Sequence, residues 1–289
     1  MNQYHLYNIY GIIVRANVAL PLIKELEGGS IWELDLDIQY NKVTFEENII
    51  LINQSDNVFF VRLGNIAEYC IFVKQNKITC IAKNFESFFS TLFNIPFSVY
   101  FATRGDILLH ACSMQYRNEL ICFSGEKGVG KSTLTKILNG VEFLLYADDT
   151  LRITKDLRGY RAHSLIKLTL ETVEEFNIKE ITNVENITKK LYGMIESSDN
   201  VVRVASIISI KRTNQTLKII NVSNDVIKKY IFFNNIVGVN YFSRTLLRIV
   251  LENFINNVKY FELTLPDDLQ KLRLSREDII SLLSSSMSE

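Results

Sequence analysis

The run Gly125-Glu126-Lys127-Gly128-Val129-Gly130-Lys131-Ser132-Thr133 constrains this 289-residue chain more than any other stretch. It fits G-x-x-x-x-G-K-[ST], a loop whose backbone N–H groups wrap phosphate oxygens. The flanks suit that reading. Leu120-Ile121-Cys122-Phe123 is a short apolar run of the buried-strand kind. Ser132 to Leu138 reads as a short helix closed by Asn139-Gly140. Glycines at 125, 128 and 130 let the chain turn tightly and approach phosphate, and the helix start adds the positive end of its dipole. The motif places Lys131 at the β- and γ-phosphates of a nucleotide and the Ser132 hydroxyl on its Mg²⁺.

A second apolar run, Phe143 to Ala147, ends at Asp148-Asp149. Open α/β sheets bind ligands at the C-terminal ends of their strands, and that is where such a nucleotide site keeps its metal carboxylate. Two adjacent carboxylates allow a division of labour. The expectation is Asp148 as the base that takes a hydroxyl proton and Asp149 as the Mg²⁺ ligand beside Ser132, although the sequence alone leaves the two exchangeable.

Charge narrows the partners. Lys plus Arg and Asp plus Glu both number 32, and the formal net charge is zero. That argues against bulk electrostatic binding to nucleic acid or to a membrane surface, and leaves room for a local basic patch. No apolar run approaches the roughly twenty residues of a membrane span, and the first residues lack a signal-peptide pattern. Cys70, Cys80, Cys112 and Cys122 sit singly in apolar runs, as buried thiols of a reducing compartment do. A cytoplasmic protein is expected.

Residues 1–83 read as a β-rich domain and residues 84–289 as the catalytic domain. In the first, Tyr4 to Val14 is strand-like, Ala19-Leu20-Pro21-Leu22 and Gly28-Gly29 break the chain, and Trp32 to Tyr40 alternates with period 2. Further short strands suggest a small antiparallel sheet. Phe85 to Thr103 reads as an aromatic helical segment interrupted at Pro96. His110 lies in the apolar strand Ile107 to Met114, where a lone histidine reads as a hydrogen-bonded core residue. Later elements are a helix over 169–177 capped by Thr169, a polar loop-like stretch over 181–200, a strand over 201–210, a strand over 217–222, a long helix over 239–258, a strand over 260–265 and a final helix opening at Ser275 in a capping-box-like way.

Leu108-Leu109-His110-Ala111, the loop Phe123 to Leu134, and Ala147-Asp148-Asp149 together resemble the HPr serine kinase family, over roughly residues 104–155. The order of histidine, phosphate loop and double aspartate carries the resemblance. It implies an α/β fold with a P-loop core sheet of the HPr-kinase/PEP-carboxykinase type, flanked by helices and preceded by the β-rich unit. It implies ATP and Mg²⁺ as cofactors and His110 near the γ-phosphate. Arg152, Arg161, Lys189, Lys190 and Arg203 are candidates for further phosphate-side cations. HPr kinases proper carry an acidic-Ile-Arg-Gly-Leu-Gly-Ile segment after the aspartates, and Leu157-Arg158-Gly159-Tyr160 does not match it. The chain looks more like the HPr-kinase-like enzymes of lasso and other ribosomal peptide clusters, which phosphorylate a serine of a precursor peptide. HPr kinase activity, and a nucleotide-binding switch or scaffold without transfer chemistry, are the alternatives. A homo-oligomer is left open.

Overall fold

The computed structural model describes residues 4–20, 23–27, 31–41, 49–54, 58–163, 165–177, 190–192, 197–199, 201–213, 217–238 and 244–288. Pro21-Leu22, Gly28-Gly29, Lys189 and most of the 181–200 stretch lie outside them. The architecture is mixed α/β with two mixed sheets. The chain divides into two compact units, Met1–Leu108 with Val237–Leu247, and Leu109–Ile236 with Arg248–Glu289.

The first unit holds β1 (His5–Ile9), β2 (Ile12–Ala16), β3 (Leu34–Tyr40), β4 (Ile49–Gln54), β5 (Val58–Leu63), β6 (Ala67–Phe72) and β7 (Lys77–Ala82), ordered β1-β2-β3-β7-β6-β5-β4. The single strand expected from Tyr4 to Val14 is a hairpin. Tyr10 and Gly11 both take positive φ, 54° and 74°, which is the two-residue turn that fits strand twist. The sheet is also not purely antiparallel, since β2–β3 and β3–β7 run parallel. Long connections, 17–33 and 41–76, return the chain to the same end of the sheet, as parallel pairing requires. Leu34, Leu36 and Ile38 are buried, as their alternation predicts. Asp35 on the other face pairs with Arg15 at 2.6 Å.

Two helices follow, α1 (Phe85–Leu92) and α2 (Ile95–Ala102). The expected interruption falls at Phe93-Asn94, and Pro96 sits in the first turn of α2, where its missing N–H costs nothing. Phe97 and Phe101 meet the Tyr10 ring edge-on at 5.4 and 5.5 Å, which builds an aromatic core.

The remaining elements are β8 (Ile107–Leu109), β9 (Cys112–Tyr116), β10 (Glu119–Ser124), α3 (Lys131–Leu138), β11 (Phe143–Ala147), β12 (Leu151–Ile153), β13 (Arg158–Arg161), β14 (Ile166–Leu168), α4 (Leu170–Glu175), β15 (Lys190–Tyr192), β16 (Val202–Thr213), β17 (Lys218–Asn221), α5 (Asp225–Asn235), α6 (Arg244–Asn257), β18 (Lys259–Pro266), α7 (Leu269–Leu274) and α8 (Arg276–Ser288). The large sheet runs β11-β9-β10-β16-β13-β12-β8, with β18 also on β16 and β17 on β18. Its centre, β10–β16–β18, is parallel, with Ser124 opposite Ser209. The chain therefore leaves β10 and runs on in β16 at one end of the sheet. Residues of α3, α7 and α8 (Leu134, Leu138, Leu272, Ile279, Leu283) close one face against Phe123 and Ile208.

Several expectations need correction. His110 is not inside a strand but at the break between β8 and β9. α5 and β14 were not expected. Val226, Ile227 and Tyr230 of α5 are exposed while Ile231 is buried, so the apolar residues of its first turns make no inward stripe to read. Of the helix expected over 239–258, α6 covers Arg244–Asn257, and 239–243 lie outside the described residues. Ser275 does not open a capping box, because its hydroxyl donates to Lys271 O at 2.9 Å and finishes α7. Thr169 does cap α4, its Oγ1 accepting from Thr172 N at 3.4 Å.

Candidate active site

β10 ends at Ser124, and residues 125–130 wrap into α3. Gly125, Gly128 and Gly130 have φ of 141°, 89° and 99°. Two of them also carry close contacts. A side chain at Gly125 would come 3.1 Å from Ile210 O, and one at Gly130 would overlap the Arg212 guanidinium. Arg212 cannot easily withdraw, since its Nε donates to Val129 O at 2.8 Å and its Nη1 to Pro266 O. Gly128 faces open space. Gly130→Ala is therefore expected to cost about 1–3 kcal/mol of stability, and Gly128→Ala less, because it meets backbone strain alone. Urea unfolding of both variants checks this, and equal losses would mean that the Arg212 contact contributes nothing.

Glu126 and Lys127 are exposed at the loop tip, and Val129 N closes a turn on Glu126 O at 3.3 Å. Lys131 is only 8% exposed. Its ammonium folds back on the loop, donating to Gly125 O at 2.8 Å and Glu126 O at 3.1 Å. Thr133 Oγ1 lies 3.1 Å from Thr172 Oγ1, which ties α3 to α4. At the loop entrance Gly125 N donates to Asn235 Oδ1 at 3.3 Å, and the Asn235 backbone O accepts from His110 N at 2.6 Å.

The two aspartates have different neighbours. Asp148 is 5% exposed. Its Oδ1 accepts from Ser132 Oγ at 3.0 Å and from the Cys112 thiol at 2.7 Å, and its Oδ2 from Lys167 N at 2.7 Å. Burial, and then the charge of Asp149, push its carboxyl above the usual range. Asp149 sits in left-handed backbone, φ 74°, with Lys167 Nζ 2.9 Å from Oδ2 and His110 Nδ1 3.4 Å from Oδ1. Burial pushes its carboxyl up, but the Lys167 ammonium and His110 more than offset this and hold it below the ordinary value. Ser132 therefore faces Asp148, whereas the sequence reading paired it with Asp149. Burial lowers His110, with Lys131 adding to that against the pull of Asp149, which favours the neutral imidazole.

Of the expected extra cations, Arg152 lies over the Tyr160 ring, Arg161 over the Tyr146 ring, and Arg203 3.7 Å from Glu119. Among the described residues, Lys167 lies beside the aspartates and Arg212 beside the loop. Both had a sequence signal. Lys167 sits between Ile166 and Leu168 in a period-2 pattern. Arg212 comes near the end of a long apolar strand, the end where parallel sheets place ligands.

His163 is a further marker. Burial, with Lys167 adding to it, lowers its pKa to about 4. The folded protein then binds this proton less readily than the unfolded chain. The stabilising difference is complete above pH ~6.5 and is lost as pH falls toward about 4, with a slope of up to about 1.4 kcal/mol per pH unit. Urea midpoints across that window should fall in the wild type and flatten in His163→Gln.

No family model matches the chain, and no curated protein matches it. Among solved structures, the HPr(Ser) kinase/phosphatase from Coxiella burnetii matches with a TM-score of 0.34 and 14% identity, over 63% of this chain and 99% of that one. Among the described residues no helix is long and apolar enough to cross a membrane.

Proposed function

We propose that this chain is an ATP-dependent phosphotransferase that moves the γ-phosphoryl group to a hydroxyl, and that its acceptor is a serine of a precursor peptide. The observation that carries the reading is the Ser132–Asp148 contact at 3.0 Å, set between the glycine loop and the end of β11, with Asp149 next to it and turned to a separate set of partners.

The donor set fits Mg²⁺. Ser132 Oγ and the Asp148 carboxylate are hard oxygen donors, and Mg²⁺ draws its remaining ligands from phosphates and water. Among the described residues no three His, Cys, Asp or Glu side chains are grouped to hold a metal alone, which suits an ion brought in with a nucleotide. Mg²⁺, when bound, would neutralise charge on the β- and γ-phosphates. We assign Asp148 with Ser132 to the metal, and Asp149 to the base, the reverse of the sequence expectation.

The chain's own residues then act as follows. The loop N–H groups and the start of α3 receive the phosphates. Lys131 exchanges the carbonyls of Gly125 and Glu126 for phosphate oxygens, which costs it two hydrogen bonds and returns stronger charge-assisted ones. The acceptor oxygen bonds to the γ-phosphorus as the bond to the β–γ bridging oxygen breaks. ADP leaves, and the hydroxyl proton passes to Asp149. Neutral His110, beside Asp149, donates a hydrogen bond near the transferred group.

The peptide acceptor is supported by the missing HPr-kinase segment and by the motif resemblance. The test is to incubate the protein with ATP, Mg²⁺ and, separately, HPr, a serine-containing precursor peptide and a panel of small hydroxy compounds, followed by mass spectrometry. One added phosphate on the peptide alone supports the reading. Phosphate on HPr or a small compound alone moves the acceptor, and ADP with no phosphorylated product favours the switch or scaffold.

A further inference from the structure

Lys167 lies in the middle of β14, where Ile166 and Leu168 are buried and Lys167 is partly exposed. Strand alternation turns it away from the face those two fill. Two atoms of this one residue meet the two carboxylates of the site. Its backbone N–H donates to Asp148 Oδ2 at 2.7 Å, and its ammonium donates to Asp149 Oδ2 at 2.9 Å. The backbone of Lys167 is held independently of its side chain. It pairs with Leu191 across the β14–β15 ladder, and Thr169 just beyond caps α4, which meets Thr133 of α3 through Thr172.

We propose that Lys167 is a positioning residue for phosphoryl transfer, its N–H orienting the carboxylate beside Ser132 and its ammonium orienting the carboxylate beside His110. The proposal rests on the phosphotransferase reading above. The Lys167–Asp149 pair is part-exposed, 28% and 30%, so it adds little to stability. Its effect is geometric. A charge-assisted hydrogen bond fixes one oxygen of Asp149 and leaves the other on the His110 side. A carboxylate swinging free of that contact would meet the acceptor hydroxyl in the wrong place, and misplacement by about 1 Å costs on the order of 10²-fold in rate.

Because the Asp148 contact is made by the backbone, side-chain replacement isolates the Asp149 contact. The test uses the full chain as Lys167→Met, Lys167→Arg, Asp149→Asn and the double variant Lys167→Met/Asp149→Asn. The probes are MgATP binding by calorimetry, Mg²⁺ titration, and single-turnover transfer of labelled γ-phosphate to water. In that transfer the water oxygen bonds to phosphorus, its proton goes to Asp149, and ADP leaves. Lys167→Met is expected to lose about 10²-fold in turnover, with MgATP affinity and Mg²⁺ requirement unchanged. Lys167→Arg should recover most of the loss, and the double variant should be no slower than Asp149→Asn, since Lys167 acts through that residue. If Lys167→Met does not fold, Lys167→Gln carries the same comparison, with a partial loss expected. Wild-type turnover in Lys167→Met, a raised Mg²⁺ requirement, or losses that multiply in the double variant would each overturn the proposal. A wild type that fails to bind MgATP would instead remove the phosphotransferase reading, and the proposal with it.

Discussion

Asp149→Asn is expected to lower phosphoryl-transfer turnover by about 10²- to 10⁴-fold, the range that a lost general base commands, while MgATP still binds. Asp148→Asn is expected instead to raise the Mg²⁺ needed for half-maximal rate. The argument is the split in their partners. Asp148 shares the Ser132 hydroxyl and is sealed from solvent, whereas Asp149 is more open, lies beside a neutral histidine and is kept ionised by Lys167. Asparagine keeps the shape of each side chain and removes its charge, and it also tolerates the left-handed backbone at 149. Mg²⁺ titration of the two variants decides the matter. Metal loss in Asp149→Asn with only a turnover loss in Asp148→Asn would restore the opposite allocation.

Lys131→Ala is expected to reduce transfer by roughly 10³-fold, the scale of a cation on the transferring phosphoryl group, and to weaken ATP binding. The Lys131 ammonium also donates to Gly125 O and Glu126 O. The variant thus loses a phosphate contact and also a brace of the loop. Calorimetric titration with MgATP, run beside a urea curve, separates the two, and full activity in the variant would remove the nucleotide assignment.

The loop was legible because its signal is local. Six residues of turn chemistry and the start of one helix occupy a continuous stretch, and β10 and α3 fall where the sequence places them. The Ser132–Asp148 pairing was not legible. Both aspartates follow the same strand, and which one faces α3 depends on the turn at Asp149, where φ reverses sign. The pattern around Lys167 marks its outward side chain but not its partners, which lie 18 and 19 residues away in the chain. Asn235 escaped because Val226, Ile227 and Tyr230 of α5 face solvent and blur its helical pattern. In the first unit, the hairpin at Tyr10-Gly11 was hidden by apolar residues that continue through the turn. The parallel pairs were hidden because pairing direction is set by connection length and not by the strands' own residues.

The reversed backbone at Asp149 has a consequence for how this chain would respond to selection. A left-handed conformation under a residue with a Cβ is held at a cost on the order of 1–3 kcal/mol, and glycine would occupy it freely. The ion pair lost with the carboxylate is part-exposed and worth less than that. Asp149→Gly should therefore raise the urea midpoint and abolish transfer. In a library screened for heat resistance alone, position 149 would be among the first to abandon its acid, and its retention under such a screen would mean that the turn is not strained.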